Sequence, residues 1–122
     1  MRKVIFDSSF LMAVGERPTN WLDGITDALG KVEPVILECV KSELEGLSAG
    51  TGRKASLARL ALELAGGFSI EPCGRASVDD EVVSYALREG AAVATVDRSM
   101  TESLRELHVD VVGLRSGRVV LL

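Results

Sequence analysis

Aromatic residues are scarce in this 122-residue chain: they make up 4% of it, whereas 47% of the residues are hydrophobic. A core must therefore be built mainly from Val, Leu, Ile and Ala, a mixture typical of a parallel sheet covered by helices. The chain also lacks any run near the ~18 apolar residues of a membrane span, and Met1-Arg2-Lys3 leads into the first strand pattern without an apolar leader. These absences predict a soluble, cytoplasmic protein with no membrane partner.

The chain also has only two cysteines and fewer basic than acidic residues. Cys39 and Cys73 have neither the spacing of metal ligands nor a secreted context, so we predict that both are reduced and behave as small hydrophobic residues. With 18 acidic and 14 basic residues the net charge is −4, which argues against indiscriminate coating of nucleic acid because nonspecific phosphate binding needs clustered Lys and Arg. Arg53, Lys54 and Arg59 still predict one local basic strip.

What the chain does contain is an alternation of strand and helix patterns with no repeat and no linker. The strand patterns cover residues 2–7, 35–37, 68–71, 92–96, 109–114 and 119–122, the last as an edge pairing. A turn containing Gly15 and Pro18 is predicted after the first strand. The first helix pattern then runs from its N-cap Asn20 to Gly30, and four more cover 39–47, 54–65, 78–89 and 99–107. We therefore predict a single domain over residues 1–122, a three-layer α/β/α fold with a central, mostly parallel sheet.

Two acidic residues end two of the predicted buried strands. Asp7 follows the run Val4–Phe6, and Asp97 follows the run 92–96. Open α/β sheets bind ligands in the crevice beyond the carboxyl ends of their strands. Asp7 has little structural reason to be there, since burying a carboxylate without a partner costs several kcal/mol.

Glu43 is the third acidic candidate and lies on a predicted helix. Val40, Leu44 and Leu47 mark the buried side of that helix, and position 43 lies beside this stripe. The alternative is a boundary glutamate in a solvated salt bridge. Convergence with the other acids favours the functional interpretation.

Asp79 and Asp80 open the next helix, where negative charge is favourable and either can be a cap, Asp80 together with Ser77. We choose Asp80 over Asp79 as the functional acid because its spacing to Val83 and Leu87 places it just above the predicted buried stripe.

Asp97 can likewise cap the helix that follows it. Ser99 and Glu102, however, already form a capping box, which leaves Asp97 available for another role.

Carboxylates that cluster in this way raise each other's pKa values and need a cation to neutralise them. Hard oxygen ligands select Mg²⁺ or Mn²⁺ rather than zinc. Such a site can activate water and stabilise the leaving oxygen of a phosphodiester. Hydrolysis of RNA at this site needs no nucleophilic side chain.

The acidic segments together resemble the four motifs of PIN domain nucleases. They are Phe6-Asp7-Ser8-Ser9-Phe10-Leu11, the stretch 40–47, Val78-Asp79-Asp80-Glu81-Val82-Val83 and Ala94-Thr95-Val96-Asp97. The resemblance runs nearly end to end and is strongest to small archaeal PIN proteins related to ribosomal RNA processing nucleases, including the closing Val112-Gly113-Leu114-Arg115. It departs at Ser8-Ser9, where Thr-Asn is commoner.

The resemblance implies a metal-dependent endoribonuclease that hydrolyses single-stranded or unpaired RNA. The implied ligands of Mg²⁺ or Mn²⁺ are Asp7, Glu43, Asp80 and Asp97. The residues expected to support them are Ser9, Thr95 and Asp79. The loop ending in Arg53 and Lys54 lacks the phosphate-loop pattern and is predicted to contact RNA instead.

Three other functions stay open at this point. The resemblance also allows the toxin ribonuclease of a toxin–antitoxin pair, or a PIN scaffold that binds RNA without cutting it. A receiver-like, phosphate-accepting module groups acids around Mg²⁺ too, but it needs a lysine near the last core strand, and residues 55–122 contain none. The partners predicted besides RNA are a second copy of the chain and either an antitoxin or a ribosome-assembly protein.

Overall fold

The computed structural model describes all residues, 1–122, as six strands and six helices. In chain order they are β1 (Arg2–Phe6), α1 (Ser8–Glu16), α2 (Trp21–Leu29), β2 (Val32–Leu37), α3 (Glu38–Ser48), α4 (Arg53–Leu64), β3 (Ser69–Glu71), α5 (Val78–Glu89), β4 (Ala92–Ala94), α6 (Arg98–Glu106), β5 (Val111–Arg115) and β6 (Arg118–Leu121). The longest helices have 12 residues, and none is long and apolar enough to cross a membrane.

The six strands form one sheet in the order β3-β2-β1-β4-β5-β6. The first five are parallel, and β6 pairs antiparallel with β5 at the edge. The chain builds outward from β1 in one direction through β2 and β3, then returns to β4 on the other side of β1. The strand order therefore reverses between β1 and β4, which is the switch point where open α/β sheets bind ligands.

Helices cover the sheet because its strands are apolar on both faces. Val4, Ile5 and Phe6 of β1 are fully buried, as are the residues of β4. Right-handed crossovers place the helices that precede β3 on one face and those that follow it on the other, since the direction of strand addition reverses. The predicted three-layer α/β/α fold with a mostly parallel sheet is confirmed.

The β6 edge is held against α2 by a close backbone approach. A Cβ built on Gly24 lies 2.7 Å from Val119 Cβ, so no larger residue fits at that point without a shift. Glycine in the middle of a helix costs roughly 1 kcal/mol relative to alanine. Glycine at this position nevertheless lets α2 and β6 pack directly against each other.

One helix was missed by the sequence prediction. Residues 8–16 form α1, which we expected to be part of a turn before Asn20. The signal was present: Asp7 caps the helix by accepting from the Ser9 backbone N–H, and Phe10, Leu11 and Val14 are buried at helical spacing. This helical spacing was not recognised because Gly15 lies within the segment and a strand directly precedes it.

The buried face of α5 also differs from the prediction. The predicted buried residues were Val82, Val83, Ala86 and Leu87. Val82 and Ala86 are buried and Val83 is partly buried, but Leu87 is 52% exposed and Tyr85 is buried instead. The face is rotated by about one residue from the predicted one because the single tyrosine, not the leucine, points into the core. This rotation bears directly on which acid of the helix faces the sheet end.

The prediction that Cys39 and Cys73 are reduced is wrong. They form a disulfide with a Cα–Cα distance of 6.0 Å, and the chain has no free cysteine. Cys39 lies in the first turn of α3 and Cys73 in the loop before α5. Their separation of 34 residues gave no local signal, because only the pairing of β2 with β3 brings the two segments together.

Candidate metal centre

Asp7 lies at the switch point and is 5% exposed. Its backbone N–H donates to the Ala94 carbonyl at 2.9 Å, so the parallel pairing of β1 with β4 continues one residue beyond β1. Its carboxylate then caps α1. The position of Asp7 is thus set by a strand on one side and a helix on the other.

One oxygen of Asp7 is held by three donors. Oδ2 accepts from the Ser9 backbone N–H at 3.3 Å, from the Ser9 hydroxyl, and from the Thr95 hydroxyl at 3.0 Å. No protein group donates to Oδ1. The hydroxyls fix the orientation of the carboxylate and leave its second oxygen available to a ligand.

The same two hydroxyls hold the segment that carries Asp97. The Ser9 hydroxyl accepts from the Val96 backbone N–H at 3.1 Å, and the Thr95 hydroxyl accepts from the Asp97 backbone N–H at 3.1 Å. Thr95 is fully buried. Asp7 and Asp97 therefore belong to one hydrogen-bonded unit that joins the ends of β1 and β4.

Asp97, and not Ser99, is the cap of α6. Its Oδ1 accepts from the Met100 backbone N–H at 2.8 Å, so the predicted capping box of Ser99 and Glu102 is wrong. Capping uses only one oxygen, because no protein group donates to Oδ2 of Asp97. An acidic cap can therefore also offer an oxygen to a ligand.

Glu43 lies at the edge of the same region and is tied to α1. Its Oε1 accepts from the Ser8 hydroxyl at 2.8 Å, and Oε2 has no protein donor. Val40 and Leu44 on either side of it are buried, as predicted. Ser8 was not among the predicted site residues; its only signal was its place directly after Asp7.

Asp79 is the acid of α5 that faces the others. Partial burial raises the pKa of its carboxyl, and the negative charges of Asp7, Asp97, Glu43 and Asp80 raise that pKa further, in that order. Three acids from other parts of the fold, and the adjacent Asp80 of the same helix, therefore act on one carboxyl.

The position of Asp79 around the axis of α5 also indicates that Asp79, rather than Asp80, faces the other acids. Val82 and Ala86 lie three and seven residues after Asp79, on the same face of the helix, and both are buried. The corresponding positions after Asp80 are the partly buried Val83 and the exposed Leu87. The reason for choosing Asp80 over Asp79 therefore fails, although which acid binds a metal stays a prediction.

The cluster has no cationic partner within the protein. The chain forms six salt bridges, and none involves Asp7, Glu43, Asp79, Asp80 or Asp97. No three acidic, His or Cys side chains are yet close enough to enclose an ion. The donor set nevertheless fits a hard divalent cation: it consists of carboxylates that repel one another, and each keeps at least one oxygen without a protein donor.

Partial burial of Asp79, together with repulsion from its acidic neighbours, makes stability depend on pH. The pKa of Asp79 is raised in the folded protein, so its contribution to stability is fully present below the ordinary carboxyl pKa and is lost as the pH rises through the raised value. We expect the metal-free protein to gain thermal stability on acidification across this window. In Asp79→Asn that gain should be smaller, as measured by Tm against pH in EDTA. An equal gain in both proteins contradicts the coupling.

The predicted basic strip is partly neutralised. Arg53 forms a 3.0 Å ion pair with Glu16, and Arg59 donates to the Gly50 carbonyl at 2.9 Å. Lys54 is exposed and forms no salt bridge. An RNA contact by Arg53 and Lys54 stays a prediction.

The fold has three layers, α/β/α, and the acid cluster lies at the switch point of its sheet. These two features together define an α/β protein with a candidate metal centre. The family model described as a PIN like domain matches residues 4–117, which is nearly the whole chain. The chain therefore belongs to the PIN like domain family. This confirms the family resemblance seen in the sequence.

Solved structures agree with this assignment. The PIN domain endonuclease Utp24 is 25% identical, with a TM-score of 0.82 over 98% of this chain and 90% of that one. A domain of a functionally unknown protein from Methanocaldococcus jannaschii is 19% identical, with a TM-score of 0.62 over 95% and 93% of the two chains, and supports the fold alone. None of the curated proteins matches the chain.

Proposed function

We propose that this protein is a metal-dependent endoribonuclease that hydrolyses phosphodiester bonds in single-stranded or unpaired RNA. The observation that carries the proposal is the unpartnered acid cluster at the switch point. Asp7, Asp97 and Glu43 each bind the protein through one carboxylate oxygen and keep the other unpaired. The fold's similarity to a PIN domain endonuclease supports the same chemistry.

Asp7, Asp97, Glu43 and an acid of α5 are the residues that would hold Mg²⁺ or Mn²⁺. When bound, the metal supplies charge neutralisation and a water of lowered pKa. The chain's own contribution is positional. Ser9 and Thr95 fix the Asp7 carboxylate before substrate arrives, and Ser8 does the same for Glu43. Such preorganisation lowers the cost of assembling the site.

For the α5 position we propose Asp79 in place of Asp80. Asp79 lies above the buried Val82 and Ala86 and couples to the other three acids. The backbone N–H of Asp80 donates to the hydroxyl of the N-cap Ser77 at 3.2 Å. Asp80 is thus the third residue of α5, and its backbone N–H completes the cap formed by Ser77.

Calorimetric titration of Mn²⁺ into the metal-free protein tests both proposals. Asp79→Asn and Asp80→Asn form a matched pair, since they remove the same charge one residue apart. We expect wild type to bind Mn²⁺, Asp79→Asn to lose at least roughly tenfold in affinity because a ligand is removed, and Asp80→Asn to lose much less. A short unstructured RNA should be cleaved in Mn²⁺ with the same ranking.

Different outcomes separate the two proposals. A larger loss in Asp80→Asn restores the original ligand prediction and leaves the function standing. RNA binding without cleavage at any Mn²⁺ concentration identifies the non-cleaving scaffold. A ribosomal RNA precursor is the first natural substrate to test, because the sequence resembles archaeal proteins related to ribosomal RNA processing nucleases. The toxin role, the homodimer and the protein partners stay predictions.

A further inference from the structure

A cavity of about 430 Å³ opens beside the acid cluster and is lined by three arginines, Arg98, Arg105 and Arg115. They come from two elements, α6 and the end of β5. In a chain with a net charge of −4 such a grouping is unusual. The three arginines give this cavity a positive charge next to the negative acid cluster.

The arginines of α6 belong to one face of the helix. Arg98, Thr101, Glu102 and Arg105 follow the spacing i, i+3, i+4 and i+7, which aligns side chains along a single stripe, and all four line the cavity. Glu102 is the only acidic side chain among the lining residues. Its 3.7 Å contact with Arg98 joins two exposed side chains, so it offsets little of the positive charge.

Arg105 and Arg115 form no salt bridge at all. Both are exposed, and no carboxylate lies within ion-pair distance of either guanidinium. Arg53, in contrast, is paired with Glu16. Two arginines without an ion-pair partner therefore lie in this cavity, whereas the basic strip predicted from the sequence is partly neutralised.

The cavity shares a wall with the acid cluster. Thr95 lines the cavity, and its hydroxyl donates to Asp7 and accepts from the Asp97 backbone N–H. Val96 lines it as well and is 40% exposed. The cavity therefore lies next to the segment that joins Asp7 to Asp97.

We propose that this cavity binds a backbone phosphate of the RNA strand next to the phosphate that is cleaved. The proposal rests on the proposed function and extends it to the path of the substrate. Acids that hold a metal repel the polyanion around it, so the strand needs a positive anchor close by. Arginine is suited to that role because its planar guanidinium can donate two hydrogen bonds to one phosphate.

RNA binding measured without cleavage tests this anchor. The probe is a fluorescein-labelled oligouridylate of 12 nucleotides, followed by anisotropy in EDTA. We expect roughly tenfold weaker binding for each arginine removed, so Arg105→Gln/Arg115→Gln should lose on the order of 100-fold. The slope of log affinity against log salt should fall by about 0.7 per lost contact, the value for single strands.

Two matched variants control for charge and folding. Arg88→Gln removes one positive charge in the last turn of α5, far along that helix from Asp79, and should bind as wild type does. Arg105→Lys/Arg115→Lys keeps the charge without the planar donor pair, and its affinity should fall between those of wild type and the glutamine variant. Intermediate binding by the lysine variant also shows that the loss is not due to unfolding.

Unchanged RNA affinity in the glutamine variant, in a protein whose wild type binds and cleaves RNA, overturns the anchor and leaves the function intact. A wild type that neither binds nor cleaves RNA overturns both. An oligoglutamate peptide that binds equally well and is lost in the same variant assigns the cavity to an acidic protein segment instead. An equal loss of RNA affinity in Arg88→Gln shows that the effect comes from the overall charge of the protein, and this outcome also contradicts the anchor.

Discussion

Replacing Asp7 with asparagine should abolish metal-dependent RNA cleavage while leaving the protein folded. We expect activity to fall by roughly 10³-fold or more, equivalent to about 4 kcal/mol of barrier. The reason is that Asp7 is the only buried carboxylate of the cluster and offers one oxygen that no protein donor uses. The measurement is the rate of RNA hydrolysis in Mn²⁺, alongside calorimetric Mn²⁺ binding.

Folding should survive because asparagine can replace each structural contact. It is as good a helix N-cap as aspartate, and its amide oxygen can accept the bonds from Ser9 and Thr95 that Oδ2 accepts now. The amide nitrogen then faces the site in place of the free oxygen. Removing a negative charge also relieves repulsion, so Tm without metal should be equal to or higher than that of wild type.

Asp27→Asn is the matched control, since Asp27 is exposed on α2 and forms no ion pair. It should retain both cleavage and Mn²⁺ binding. A lower Tm for metal-free Asp7→Asn argues against the repulsive cluster. Retained cleavage in a folded Asp7→Asn removes Asp7 from the site altogether.

Removing the disulfide should produce the second large effect, this time on stability. Cys39 and Cys73 close a loop with a separation of 34 residues. The chain-entropy model gives about 4 kcal/mol for a loop of this size. In a domain of this length that corresponds to a fall in Tm of roughly 10–20 °C. Thermal unfolding of Cys39→Ala/Cys73→Ala beside oxidised wild type measures it.

The bond should also affect the site, because it ties together two segments that carry candidate ligands. Cys39 lies one helical turn before Glu43, and Cys73 lies in the loop that leads to Asp79. We expect weaker Mn²⁺ binding in the double variant at a temperature where it is still folded.

Reduced wild type is the control and should behave like the variant. Two thiols that react with an alkylating reagent in the folded, unreduced protein contradict the bond.

Much of the fold follows from local pattern. Apolar runs ending at Asp7 and Asp97 predicted two buried parallel strands, because strands buried on both faces must be apolar throughout. Glycines and N-caps marked the ends of α2 and α5. The sequence prediction missed helix α1 because this helix starts directly after a strand, so that Asp7 is both the end of the strand and the cap of the helix.

The pairings that make the site are not local and could not be predicted in this way. The sequence by itself determined the sheet class, the family resemblance and the acids that end the strands, since each depends on neighbours within one element. Only the tertiary structure decided that Asp79 faces the cluster, that Cys39 meets Cys73, and that arginines from α6 and β5 share one cavity. The phase of a helix and the contacts between distant segments are set by packing across elements, and no spacing within one element specifies them.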